Sequence, residues 1–316
     1  MRLLVTRRMT AAAEAAIRQA FDAHFRDDTA PLTEAEAITA LREHDAILPT
    51  LGDPFTAGVL GTAGRRARVL ANFGAGFNHI DTDAARAAGI VVTNTPDVVT
   101  DATADIALTL ILMCARRAGE GERLVRAGLW TGWHPTQMLG MHVTGRTVGI
   151  IGMGRIGQAI ARRCHHGFGM PVIFHNRSAV TDLDLPARQV PLADLLAQAD
   201  IVVTAVPGGA STRHLIGAAE LSAMKPGAIL VNIARGDVVD EAALAAALDA
   251  GTLGGAGLDV YEREPEVPQA LRARENVVLL PHLGTATEEV RTDMALRALA
   301  NLTAFFRGED PPDRVA

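Results

Sequence analysis

Residues 147–158 read T-V-G-I-I-G-M-G-R-I-G-Q. An apolar run, Val148 to Ile151, ends at Gly152, Gly154 and Gly157, and a helix-forming stretch follows through Ala161. This spacing confines the segment to strand, tight turn and helix. Gly152 lets the chain turn sharply, Gly154 leaves the backbone bare for a pyrophosphate, and Gly157 lets the helix pack closely on its strand. The helix start, with Arg155 and Ile156 between the last two glycines, then offers free N–H groups and a positive dipole end to phosphates. Alone, the pattern is equally a glycine-rich turn; the strand context favours a dinucleotide site.

The next apolar run, Val172-Ile173-Phe174, leads into His175-Asn176-Arg177-Ser178. An NAD site usually places Asp or Glu here, bonded to the ribose 2′-hydroxyl. Asn176 is neutral, and Arg177 and Ser178 are suited to a 2′-phosphate that a carboxylate would repel. The segment points to NADPH as the preferred cofactor, with NADH possible. A solvated surface cation is the competing reading of Arg177.

At 316 residues the chain has the length of two domains. Hydrophobic residues at 48% and charged residues at 21% fit a globular protein. A net charge of −6 argues against general binding to nucleic acid or anionic membrane. The two cysteines, Cys114 and Cys164, lack C-x-x-C spacing, so neither a disulfide framework nor a metal site is expected, and both read as small core residues of a reduced cytoplasmic protein. The N-terminal apolar run is too short for a signal peptide, and Ile106–Cys114 is half a membrane span, better read as a buried helix.

Short apolar runs alternate with helical patterns, the mark of parallel α/β architecture. The first hundred residues hold four candidate strands, Leu3–Thr6, Ala46–Pro49, Val69–Asn72 and Ile90–Thr93, with helices at Ala11–Phe21, Glu34–Glu43 and Thr82–Ala88. From about Thr100 the character changes: a long helix over Asp101–Arg117 and a second over Gly119–Ala127 precede a loop holding Trp130, Trp133 and Pro135. Val148–Ile151 and five further runs, ending with Val277–Leu280, give a six-stranded dinucleotide-binding unit. The final helix, Thr285–Phe306, comes too late to extend that sheet and is expected back on the N-terminal unit. The expected organisation is two doubly wound parallel-sheet domains. A Rossmann cofactor domain at 100–284 is inserted in a discontinuous, flavodoxin-like substrate domain at 1–99 and 285–316.

Four strand-end segments follow the glycine motif. Strand C-termini face the ligand crevice in open α/β sheets. The segment 204–209, with Val206 and Pro207, therefore lines a cofactor or is a simple turn. Arg235, after Val231-Asn232-Ile233-Ala234, offers a planar fork matched to a carboxylate, or a surface salt bridge. Asp259 sits in an apolar strand end where an unpaired carboxylate is costly, and Glu264 precedes a proline that restricts its backbone. His282, after Leu279-Leu280-Pro281, taken alone is a core histidine; convergence with Arg235 and Glu264 at one sheet edge favours a site.

In this order the marks resemble the D-isomer-specific 2-hydroxyacid dehydrogenases: G-M-G-R-I-G at 152–157, N-I-A-R-G at 232–236, G-L-D-V-Y-E-R-E-P at 257–265 and L-P-H-L-G-T-A-T at 280–287. G-A-G-F-N-H-I-D at 74–81 and T-D-A-T-A-D at 100–105 match too, so the resemblance covers essentially the whole chain. W-T-G-W-H-P at 130–135 and H-N-R-S at 175–178 are most similar to the glyoxylate/hydroxypyruvate reductase branch. The resemblance implies hydride transfer to a small 2-oxo acid, giving the D-2-hydroxy acid. It implies that Arg235 holds the substrate carboxylate, that His282 donates a proton to the carbonyl oxygen, and that Glu264 hydrogen-bonds His282 and favours its charged form. It implies cofactor contacts at Thr103, Ile233 and Asp259, the last to the nicotinamide carboxamide. It also implies carboxylate binding by the backbone N–H groups of Ala75 and Gly76, and a pocket shaped by Leu51. Trp133 matches a tryptophan that reaches towards the partner subunit's substrate site in a homodimer formed through the cofactor domain; a buried packing role competes. Two alternatives accompany this reading: a reductase of larger 2-oxo acids, and a dinucleotide-sensing corepressor, for which no extra partner-binding segment is visible.

Overall fold

The computed structural model describes all 316 residues. The chain divides into two compact units, Met1–Val99 with Thr285–Ala316, and Thr100–Gly284.

The first unit alternates β1 (Arg2–Val5), α1 (Ala11–Ala20), β2 (Asp22–Phe25), α2 (Glu34–Glu43), β3 (Ala46–Leu48), α3 (Ala57–Leu60), β4 (Val69–Ala71), α4 (Thr82–Ala87) and β5 (Val91–Thr93). The strands form one parallel sheet in the order β2-β1-β3-β4-β5. The inner strands β3 and β4 are apolar throughout, as sheets covered on both faces require. A capping box between Thr33 and Glu36 starts α2. In the second unit, α5 (Thr100–Ala115) and α6 (Ala118–Arg126) lead to β6 (Val148–Ile151), α7 (Arg155–Phe168), β7 (Val172–His175), β8 (Ala187–Gln189), α8 (Leu192–Gln198), β9 (Ile201–Thr204), α9 (Ala218–Ala223), β10 (Ile229–Asn232), α10 (Glu241–Asp249), β11 (Gly255–Leu258), α11 (Gln269–Arg272) and β12 (Val277–Leu279). Its seven strands are all parallel, in the order β12-β11-β10-β9-β6-β7-β8. The strand order reverses between β6 and β9, which places the ligand crevice of such a sheet at the end of β6.

The last helix, α12 (Glu288–Phe306), belongs to the first unit, where Ala298 and Leu302 pack with Leu3, Val5, Ile17, Leu48 and Val69. The C-terminal segment is tied down there. Arg297 makes a two-pronged ion pair with Asp313 at 2.6 and 2.7 Å, Asn301 exchanges hydrogen bonds with Asp313, and the Val315 amide donates to Val92.

Two strands escape the sequence reading, which counts four and six where the sheets have five and seven. Both, β2 and β8, are sheet edges with polar faces, Asp-Ala-His-Phe and Ala-Arg-Gln. An edge strand buries too little to need an apolar run, and polar residues there discourage pairing with other chains.

Candidate active site

The C-terminal ends of β10, β11 and β12, adjacent in the sheet, carry Arg235, Glu264 and His282 within the second unit. Asn232 ends β10 and is 1% exposed. Its Oδ1 accepts from Thr204 Oγ1 (2.7 Å) and the Ala234 amide (3.0 Å), and its Nδ2 donates to the Arg235 carbonyl (2.9 Å). This buried carboxamide fixes the turn that projects Arg235. The Arg235 side chain makes no ion pair and donates only to the Ala234 carbonyl, so the salt-bridge reading does not hold. Burial lowers its pKa against the opposing charges of Glu264 and Asp237, yet a guanidinium stays cationic. A half-buried cation with unused donors is a built receptor for an anion.

His282 Nδ1 lies 2.9 Å from Glu264 Oε2, and the other carboxylate oxygen accepts from the Tyr261 amide at 3.1 Å. Burial works to raise the Glu264 pKa, but the His282 hydrogen bond and charge, the Tyr261 amide and Arg235 outweigh it, and the net displacement is downward. The carboxylate is therefore ionised at neutral pH and can only accept, so Nδ1 carries the proton. Nε2, without a partner, is left to exchange a proton with a ligand. His282 is partly exposed, which sets aside the core-histidine reading.

His282 also has a left-handed backbone, φ 53°. Asp259, 1% exposed, holds it there: its carbonyl accepts from the His282 amide (2.9 Å), and its carboxylate accepts from the amides of Leu283 (2.6 Å) and Gly284 (2.8 Å). Burial raises the Asp259 pKa against those two amides and His282. Thr103 Oγ1 on α5 donates to the Gly284 carbonyl, closing the same loop.

The turns after β10 and β11 are locked together. A Cβ on Gly236 would lie 1.8 Å from the Tyr261 carbonyl carbon, so these backbones touch. Glu241 and Glu262 then exchange bonds, each carboxylate accepting the other's amide at 3.0 and 3.1 Å. His214, after β9, donates its amide to Asp237 at 2.6 Å and places Nε2 3.2 Å from Glu262. The sequence motifs assign no role to Asn232, Gly236, Glu241 or Glu262. Their roles are backbone contacts across strands, which spacing along the chain does not reveal.

The glycine turn fits a pyrophosphate. Gly152 has φ 101°, and a Cβ there would meet the Ala205 carbonyl at 2.6 Å and Val206 at 2.9 Å. A Cβ on Gly157 would lie 2.1 Å from the Gly152 carbonyl, whereas above Gly154 there is open space. Helix α7 starts at Arg155 with no side-chain cap, and Ile156 packs into the core below. The open space lies where uncapped helix amides can meet an anion. Pro207, in the same loop as Val206, accepts from Thr212, and Ile233 is buried after β10. Asn176 turns inward, accepting from the Met153 amide at 3.3 Å and donating to Ser178. Arg177 is exposed and makes no ion pair.

In the first unit Leu51 is exposed in the turn after β3. The Ala75 carbonyl accepts from Asn94 and the Gly76 carbonyl from Asn72, while the amides of both residues make no hydrogen bond within the chain. Trp133 is 79% exposed, which removes the buried-packing alternative within the chain.

A family model for the NAD-binding domain of D-isomer-specific 2-hydroxyacid dehydrogenases matches residues 108–284. The chain belongs to this family. This enzyme is an oxidoreductase of 2-oxo and 2-hydroxy acids that uses a nicotinamide dinucleotide. The dehydrogenase is 42% identical over 320 residues to a glyoxylate reductase of Thermococcus onnurineus, covering 99% of this chain and 95% of the relative. It is 47% identical to the glyoxylate reductase of Thermococcus kodakarensis over 281 residues, 87% and 84% of the two chains. The NADPH-dependent glyoxylate/hydroxypyruvate reductase of Sinorhizobium meliloti, solved with NADP and malonate, superimposes with a TM-score of 0.87 at 36% identity over 100% and 96% of the chains. No helix of the dehydrogenase is long and apolar enough to cross a membrane.

Proposed function

We propose that the enzyme reduces a small 2-oxo acid, glyoxylate or hydroxypyruvate, with NADPH in preference to NADH, and that a chiral product is the D-2-hydroxy acid. The observation that carries this reading is the His282–Glu264 pair, with Nε2 unpartnered and the half-buried cation Arg235 at the end of β10, next to β11. Arg235 grips the substrate carboxylate. His282 Nε2 gives its proton to the carbonyl oxygen, and the ionised Glu264 stabilises the imidazolium before transfer and keeps the ring oriented. When bound, the reduced dinucleotide supplies the hydride. Its pyrophosphate would be held at Gly152–Gly157, with Arg155 and Ile156 at the helix start, and its 2′-phosphate by Arg177 and Ser178. Val206, Pro207, Thr103 and Ile233 would flank it. Asp259 would approach the nicotinamide carboxamide, although both its oxygens already accept backbone amides. The first unit would be the substrate domain; in it the amides of Ala75 and Gly76 make no hydrogen bond within the chain and Leu51 is exposed.

The same reading makes the enzyme a cytoplasmic homodimer joined through the second unit. Its support is that α6 buries none of its own residues, and that Val125, Leu129, Trp130, Trp133 and Leu139 form an exposed apolar stretch. The thiols of Cys114 and Cys164 are unpaired and pushed up to about 12 by burial, as suits a reducing compartment.

Initial rates on a panel of 2-oxo acids with NADPH and NADH test the proposal. Turnover of glyoxylate or hydroxypyruvate with NADPH, lost in His282→Ala, is expected. Failure to reduce either acid, or full activity in His282→Ala, would overturn it.

A further inference from the structure

The edge strand β8 carries Gln189, and all of the hydrogen-bonding side-chain atoms of this residue serve one loop. Its Nε2 donates to the carbonyls of Asn176 (3.1 Å) and Ser178 (3.0 Å), and its Oε1 accepts from the Val180 amide (3.1 Å). Asn176 continues the network inward. Its Oδ1 accepts from the Met153 amide inside the glycine turn at 3.3 Å, and its Nδ2 donates to the Ser178 carbonyl (3.0 Å) and Oγ (3.3 Å). One chain of bonds thus runs from the glycine turn through Asn176 and Ser178 to Gln189. Arg177 lies in the middle of this braced segment, exposed and without an ion pair. The Ser178 hydroxyl, already an acceptor, keeps its O–H to donate.

The bonds therefore grip the backbone of 176–180 and leave free the two side chains suited to a phosphate. A receptor ordered before its ligand arrives avoids the ordering cost at binding. With Gln189 removed, the segment keeps the Asn176 bond to the glycine turn and the packing of Val180 on the core, and the stretch between them that carries Arg177 and Ser178 must be ordered by the ligand itself. A ligand that uses neither residue meets no such cost.

We propose that Gln189 is a positioning residue for cofactor selection: it holds the 176–180 loop so that Arg177 and Ser178 converge on the ribose 2′-phosphate. This inference rests on the proposed NADPH preference.

The test is direct binding, without substrate, of NADPH and NADH to the full chain by titration of nicotinamide fluorescence. Wild type, Gln189→Ala, Gln189→Met, Arg177→Ala and the Gln189→Ala/Arg177→Ala pair are compared. Gln189→Met keeps the length of the side chain and removes its bonds. Circular dichroism and thermal unfolding confirm that each variant is folded. Both Gln189 variants should bind NADPH about tenfold more weakly, the cost of ordering one loop residue, with NADH affinity nearly unchanged. Arg177→Ala should have a smaller effect on NADPH in the Gln189→Ala background than in wild type. If wild type binds NADPH no more tightly than NADH, the cofactor reading fails and the inference with it. If wild type discriminates and the Gln189 variants discriminate equally well, the inference alone fails. Equal weakening of both cofactors, or strict additivity with Arg177→Ala, also overturns it, since either result assigns Gln189 a purely structural role.

Discussion

Adding one methyl group at Gly236 should separate the two halves of the proposed catalytic apparatus. A Cβ there would stand 1.8 Å from the Tyr261 carbonyl carbon, 2.0 Å from its oxygen and 2.2 Å from the Glu262 nitrogen. Carbon atoms rest about 3.5–4.0 Å apart, so the two main chains must part by more than about 1 Å, with no side chain able to swing clear. Arg235 precedes Gly236 on one side of the contact. On the other, the Tyr261 amide bonds Glu264, which holds His282. The methyl group therefore moves the carboxylate receptor away from the proton donor. Misplacement of about 1 Å costs on the order of 100-fold in rate, or about 2.7 kcal/mol of barrier. Overpacking of this kind costs about 1–3 kcal/mol of stability, within what a folded domain tolerates. The glycine turn and Arg177 lie beyond β6 and β7, on different strand ends. Gly236→Ala should therefore remain folded and keep the greater part of its NADPH affinity, that part resting on the glycine turn and Arg177. It should lose about 100-fold or more in kcat/KM for glyoxylate or hydroxypyruvate, measured by initial rates beside a cofactor titration. A kcat/KM within about threefold of wild type, less than 1 kcal/mol of barrier, would refute the clamp. So would a parallel loss of cofactor affinity, which indicates general damage.

Arg177→Ala should weaken NADPH binding by about 10- to 100-fold, the worth of a charge-assisted contact of about 1.5–3 kcal/mol, and leave NADH binding nearly unchanged in the same titration. In the first unit, the Arg297 hydrogen bond above all, then Asn301 and the Arg297 charge, holds the Asp313 pKa below its ordinary value against burial. A depressed carboxyl pKa contributes stability that is present above the unfolded value, near 3.9, and lost as pH falls through the folded value. Asp313→Ala should therefore cost about 1.5–3 kcal/mol at neutral pH, and the gap to wild type in thermal unfolding should close as pH falls below about 4; a gap that is constant with pH would contradict the assignment. Trp130 and Trp133 are the only tryptophans and both are exposed in the single chain. If their segment is the dimer contact, intrinsic emission should shift to the red on dilution through dissociation; emission unchanged across a sedimentation-verified dissociation would exclude it.

The sequence made legible whatever the sheets need in order to be buried. Val148–Ile151, Ile201–Thr204 and Ile229–Asn232 are apolar because they lie inside a sheet covered on both faces, and the residues at their ends follow from that placement. Asp22–Phe25 and Ala187–Gln189 were illegible because an edge strand is held by backbone bonds on one side and need not be apolar. The braces around the site were hidden for a related reason. Glu241 and Glu262 lie twenty-one residues apart in the chain, and only the adjacency of β10 and β11 turns each towards the other's amide. Gln189 was doubly hidden, as a polar residue on a strand with no apolar signal.

The placement of Asp259 explains how a histidine can stand where the sequence reading expected either a core residue or a catalyst. A left-handed backbone costs a non-glycine residue about 1–2 kcal/mol, and a buried carboxylate costs more unless it is bonded. At His282 each cost is offset by the other. The Asp259 carbonyl and both carboxylate oxygens take the amides of three successive residues, 282–284, which only a sharply turned loop can present together. The turn satisfies the carboxylate, and the carboxylate holds the turn. The loop so fixed meets Glu264 with Nδ1 and leaves Nε2 without a partner. An Asp buried at the end of β11 and a His with positive φ after β12 are thus one device, and its product is an imidazole with a single free nitrogen in a defined direction.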